Sequence, residues 1–115
     1  MIPVRLAAKK KNKYNAKKAV IDGITFDSIA ESRRYGKLAL MQRAGLIADL
    51  ACHPEFRIEM NGTLICRVIL DFSYKNIKTG KTIYEDLKGK DNALSKLKRK
   101  LVSAVHEIDV EIIKK

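Results

Sequence analysis

The chain has 115 residues, 46% of them apolar, with 24 Lys and Arg against 13 Asp and Glu, a formal net charge of +11. A domain of this length buries roughly two-thirds of the surface its unfolded chain exposes, so an ordinary core suffices without disulfides or a structural metal. No stretch approaches the ~20 apolar residues of a membrane span, Met1–Lys13 lacks the apolar segment of a secretory signal, and Cys52 and Cys66 are too few for a disulfide framework, so a soluble cytoplasmic protein is expected.

Residues 1–16 show no hydrophobic periodicity and read as a flexible basic arm, leaving residues 17–115 as one domain. Seven basic groups and no acid fall within residues 1–18 (Arg5, Lys9, Lys10, Lys11, Lys13, Lys17 and Lys18). A second block of six, Lys88, Lys90, Lys96, Lys98, Arg99 and Lys100, has Asp91 as its one acid. Positive charge gathered in this way attracts polyanions through counterion release, and nucleic acid is the commonest of these. A basic tail and a solvated helix face would give the same count, so charge names a partner class and nothing more.

Along the chain, Ala19-Val20-Ile21 and Ile24-Thr25-Phe26 flank Asp22-Gly23, a tight-hairpin signal. Asp27 or Ser28 then caps a helix that runs to about Ala44 and stops at Gly45. After His53-Pro54, residues 56–60 alternate as a half-buried strand, and Asn61-Gly62 is a second hairpin signal. A long strand is expected from Leu64 to Tyr74, then a polar turn over 77–80 and a strand over 81–88. Asp91 or Asn92 caps a second helix, in which Leu94, Leu97, Leu101, Val105 and Ile108 form an apolar stripe. A last strand covers 109–113. After the first hairpin the order is αβββαβ.

Side chains alternate faces along a strand. If 77–80 is a four-residue loop, Asp71 stands opposite Asp86 on one face and Ile69 opposite Lys88. Directly opposed carboxylates repel by a few tenths to ~1 kcal/mol, a pair that a purely structural sheet avoids and a divalent cation requires. A loop of three or five residues would put the two acids on opposite faces. A third acid, Glu31, shares a helical stripe with Tyr35 and Leu38, and buried Glu is rare unless paired or coordinating. Ser28-Ile-Ala-Glu31 also spells a capping box, which would use Glu31 on the backbone.

An acid on the first helix, an acid on a core strand and Asp86-x-Lys88 on the next strand resemble the PD-(D/E)xK, restriction-endonuclease-like nuclease superfamily. In finer detail, Phe26-Asp-Ser-x-x-Glu31, Asp71-Phe-x-Tyr74 and Glu85-Asp-x-Lys-Gly89 resemble small phage-encoded proteins grouped with these nucleases, and Holliday-junction resolvases are relatives of similar size. The resemblance implies a mixed α/β fold with an αβββαβ core, preceded here by the hairpin and the basic arm. It implies that Asp71 and Asp86 bind Mg²⁺ (with Mn²⁺ as a substitute), that the Leu87 carbonyl is a further ligand, that Glu31 ligates directly or through water, and that Lys88 lies beside the scissile phosphate. The superfamily's proline is replaced by Leu70, and the second acid is Asp rather than the commoner Glu.

On that resemblance, Lys96, Lys98, Arg99 and Lys100 grip phosphates near the cut, and Lys9, Lys10, Lys11 and Lys13 track a further duplex segment. Such contacts position a backbone without reading sequence. The expected function is a Mg²⁺-dependent DNA endonuclease, structure-selective on branched DNA such as Holliday junctions and dimeric, since two symmetric cuts suit a homodimer. The alternative is a catalytically inactive nucleic-acid-binding module of the same fold. A basic ribonucleoprotein component would explain the charge but leaves the three acids without a role.

Overall fold

Turn chemistry sets the first element. In the computed structural model, which describes residues 18–115, Asp22 and Gly23 take φ of 53° and 77°. Positive φ at both central residues is what a two-residue type I′ hairpin turn demands, and it joins β1 (Ala19–Ile21) to β2 (Ile24–Phe26). Helix α1 (Ile29–Arg43) follows, and Ser28 Oγ accepts from the Glu31 amide at 3.2 Å as its N-cap. The expected basic arm over 1–16, with Lys9, Lys10, Lys11 and Lys13, lies outside the described residues.

The chain divides into two compact units, Met1–Lys37 and Leu38–Lys115. Within the first, the Tyr35 hydroxyl donates to Asp22 at 2.8 Å and its ring lies 5.2 Å from that of Phe26. These contacts tie the start of α1 to the hairpin.

In the second unit, β3 (Ile47–Cys52), β4 (Glu55–Met60), β5 (Thr63–Ile69), β6 (Phe72–Asn76), β7 (Thr82–Lys88), α2 (Ala93–His106) and β8 (Val110–Lys114) follow in chain order. The main sheet runs β3-β6-β7-β8. Its first three strands are antiparallel, and β8 pairs parallel with β7. A parallel neighbour requires a crossover, which α2 supplies. The result is a mixed αβββαβ core, as the sequence suggests, with the β4–β5 hairpin inserted between its first two strands.

Two expected boundaries differ. The sequence shows no strand over 47–52, yet this is the first core strand. Asp49 takes φ 57° and the β3–β6 register shifts between Ala48 and Ala51. That bulge breaks the alternation by which a strand is read. The segment 64–74 is not one strand but two: β5 pairs with β4, and after Leu70-Asp71 the chain changes partners to β3 and β7. Ile69 accordingly faces Glu55 rather than Lys88.

The core of this unit is Ile58, Val68, Leu70 and Val102, flanked by Phe56, Tyr84, Leu101 and Val110. Helix α2 packs onto β4 and β5, and of the expected stripe Leu101 and Ile108 reach the core. Leu94, Leu97 and Val105 are exposed, while Val102 is fully buried. Asn92 is the N-cap, its side chain accepting from the Ser95 amide at 2.8 Å.

Candidate functional site

The pairing of β6 with β7 positions the site. Phe72 lies opposite Glu85 and Lys75 opposite Thr82, the register that a four-residue loop over 77–80 requires, and the loop is closed by the Asn76 amide on the Lys81 carbonyl at 2.8 Å. Asp71 stands one residue before β6, at the point where the chain leaves the hairpin for the main sheet. Its amide donates to the Glu85 carbonyl at 3.0 Å, its carbonyl accepts from the His53 amide at 2.9 Å, and its Oδ2 accepts from the Leu87 amide at 2.6 Å. Backbone bonds on three sides therefore fix this carboxylate against the strand carrying Asp86 and Lys88.

On β7, alternation sends Tyr84, Asp86 and Lys88 to one face and Ile83, Glu85 and Leu87 to the other. Asp86 is buried at 7% exposure. Its Oδ2 lies 3.3 Å from Lys88 Nζ and 3.9 Å from Arg99 NH1. Arg99 reaches over from α2 and is itself held in a two-pronged hydrogen bond by Asp91, with NH1 donating to Oδ1 at 2.9 Å and NH2 to Oδ2. A fork clamped at both prongs is preorganised, a geometry a lysine cannot reproduce.

Beside these groups is a cleft of about 260 Å³ between β5, β7 and α2, where Arg67, Ser95 and Lys98 join Asp86, Lys88 and Arg99. Arg67 pairs with Glu55 at 3.3 Å on the hairpin's outer face. The expected residues Asp71, Asp86, Leu87 and Lys88 thus gather on two adjacent strands, with Lys98 and Arg99 beside Asp86 and Lys88. Lys96 and Lys100 are exposed elsewhere on α2. Glu31 is buried within the first unit.

Two features were not foreseen from the sequence. The Asp91–Arg99 clamp spans two helical turns across a cap, beyond the spacings at which pairs are normally sought. Glu85, fully buried, accepts from the Tyr74 hydroxyl. Its place between Ile83 and Leu87 on the apolar face was legible, but its partner was not. Cys52 is not an activated nucleophile: burial pushes its thiol up to about 11, leaving it protonated at neutral pH.

The hydrogen bond from Arg99 outweighs the opposing effect of burial and, with the charges of Arg99, Lys96 and Lys88, holds the Asp91 carboxyl below its usual value of 3.8. A depressed folded-state value stabilises the protein above the unfolded value, and that contribution is lost as pH falls through the folded one. Wild type is therefore expected to melt above Asp91→Asn at neutral pH, with the gap closing below pH ~4. Melting temperature measured against pH for both proteins checks this, and a gap that persists at pH 2 would contradict it.

Sheet order and crossover make this a mixed α/β protein, with a strand-helix-strand arrangement consistent in general with a nuclease-like fold. The chain belongs to the family described as "Protein of unknown function (DUF1064)", which matches residues 11–114. No curated protein and no solved structure matches it. Among the described residues no three His, Cys, Asp or Glu side chains converge as a group that could hold a metal ion, and no helix is long and apolar enough to cross a membrane.

Proposed function

We propose that the chain is a nucleic-acid-binding protein that grips backbone phosphates at the cleft between β7 and α2. The observation that carries this is the convergence of Lys88, Lys98 and Arg99 on one cleft, with the Arg99 fork fixed by Asp91. The Lys88 and Lys98 ammonium groups offer donors to phosphate oxygens, and Arg99, its fork taken by Asp91, adds fixed positive charge beside them. Such contacts respond to charge and shape rather than base identity. DNA, branched or duplex, is the partner that the two basic blocks of the sequence suit best. Binding to duplex DNA is expected to weaken with salt, log K falling against log [salt] by about 0.9 for each phosphate neutralised. Lys98→Ala should reduce that slope by about one unit. Anisotropy titrations at several salt concentrations test this, and no binding at low salt would refute the proposal.

A second reading, Mg²⁺-dependent hydrolysis of phosphodiesters, is favoured by one specific observation: Asp71 is locked by backbone hydrogen bonds beside the strand that carries Asp86 and Lys88. The oxygen donors fit a hard cation. Mg²⁺ is commonly held by one or two carboxylates completed by waters and substrate phosphates, so a cluster of three acids is not required. Asp71, Asp86 and the Leu87 carbonyl would hold the ion. A bound Mg²⁺ supplies an acidified water and charge stabilisation at phosphorus. Lys88, paired with the buried Asp86 carboxylate, neutralises charge developing on the phosphate. In this form the protein acts on branched DNA such as four-way junctions, as a homodimer whose symmetry matches two cuts.

A further inference from the structure

We infer that the cleft between β5, β7 and the first half of α2 receives the terminal phosphate of a nucleic-acid strand, a phosphomonoester rather than an internal diester. The inference rests on the nucleic-acid-binding reading above and specifies which phosphate the site selects. Two observations carry it: size and charge.

At about 260 Å³, the cleft lies below the ~300–1,000 Å³ typical of small-molecule pockets. It holds one phosphate with part of its sugar or base. Its floor is formed by Val68, Leu70 and Asp86, which are themselves buried, so a phosphate seats in the cleft without reaching the interior.

The charge selects in the same direction. Lys88, Lys98, Arg99 and Arg67 surround the cleft. Asp86 offsets Lys88 and partly Arg99, Asp91 holds Arg99, and Glu55 pairs with Arg67. Lys98 has no ion-pair partner among the described residues, and it stands next to the Ser95 hydroxyl in the cleft lining. A terminal phosphate carries up to one more negative charge than a diester at neutral pH and an additional free oxygen. Lys98 supplies the donor for that charge, and Ser95 a further donor for that oxygen. The apolar edge formed by Val68 and Ile69 offers the adjoining sugar or base a contact with no sequence preference.

The test is a set of anisotropy titrations on one oligonucleotide duplex with four kinds of end: 5′-phosphate, 5′-hydroxyl, 3′-phosphate and 3′-hydroxyl. EDTA is present so that no cleavage interferes. One phosphorylated end should bind about tenfold tighter than its hydroxyl counterpart, the worth of one charge-assisted hydrogen bond. Lys98→Met, which keeps the stem and removes the charge, should abolish that difference, with hydroxyl-ended DNA bound more weakly than by wild type through the remaining cations. Inorganic phosphate and a mononucleotide serve as competitors. Displacement of the oligonucleotide by the mononucleotide at equal concentration would show that a free nucleotide, not a strand end, is the ligand, and would overturn the inference. Equal affinity for all four ends would also overturn it while leaving phosphate-backbone binding intact. Failure to bind any of the duplexes would overturn both.

Discussion

Replacing Phe72 by Ala is expected to cost about 3–5 kcal/mol of stability. Phe72 is fully buried at the first position of β6, where the chain has just changed partners from the hairpin to the main sheet. It pairs with Cys52 on one side and Glu85 on the other. Truncation leaves a cavity at the crossing that also aligns Asp71, and a packed interior collapses only partly around such a hole. A domain of this size is stable by about 5–15 kcal/mol in all, so the variant should lose at least ~12 °C of Tm. Leu97→Ala is the informative control. Leu97 is 53% exposed, and its truncation should stay within about 0.5 kcal/mol. Thermal melts of the three proteins decide it. A Leu97→Ala loss matching that of Phe72→Ala would mean that α2 is packed by its leucine stripe and that the face assigned here is wrong.

That control marks where the sequence stops being informative. Hydrophobic periodicity shows that Leu94, Leu97, Leu101 and Val105 share a stripe, but not which face of the helix meets the core. Ser95, Arg99 and Val102 also recur at helical spacing, and the helix meets the core where this mixed face adjoins Leu101 of the stripe. Val102 joins the core, Arg99 reaches Asp86 and Asp91, and His106 Nε2 lies 2.8 Å from the Arg57 carbonyl. One apolar contact and several polar ones are invisible to a pattern that counts leucines. Strand β3 escaped for a related reason, since the bulge at Asp49 removes the alternation.

Features dictated by short-range backbone chemistry were legible. Asp22-Gly23 and Asn61-Gly62 each place two successive residues at positive φ, which few other dipeptides tolerate. Both form the hairpin turns expected of them. The β6–β7 register follows from loop length alone, so the approach of Asp71 to the Asp86 strand was accessible before any coordinates. The cleft was not. Arg67 enters it from a hairpin that the sequence joins to the wrong strand, and Ser95 from a helix face taken as outward.

Asp86→Asn separates the two proposed activities with the largest functional effect. Asp86 lies 3.3 Å from Lys88 and 3.9 Å from Arg99, whose nearer partner is Asp91, so it competes with any phosphate for the two cations. Amidation removes that competition while keeping the side chain's shape. Affinity for DNA measured in EDTA should rise about fivefold, or ~1 kcal/mol. Folding should weaken by roughly 1–3 kcal/mol, because Lys88 loses its carboxylate, and a melt beside the binding curve accounts for that loss. The same pair of proteins is then incubated with linear, flapped and four-way-junction DNA in Mg²⁺, Mn²⁺ and EDTA. If wild type cuts in either metal and Asp86→Asn binds more tightly yet does not cut, the carboxylate is a metal ligand whose negative charge opposes substrate binding until a cation offsets it. If neither protein cuts in any condition while the affinity gain stands, the acids tune a phosphate-binding surface and hydrolysis is excluded. A loss of affinity on amidation would contradict both, since it would mean that the Asp86 charge organises the cations for phosphate rather than competing for them.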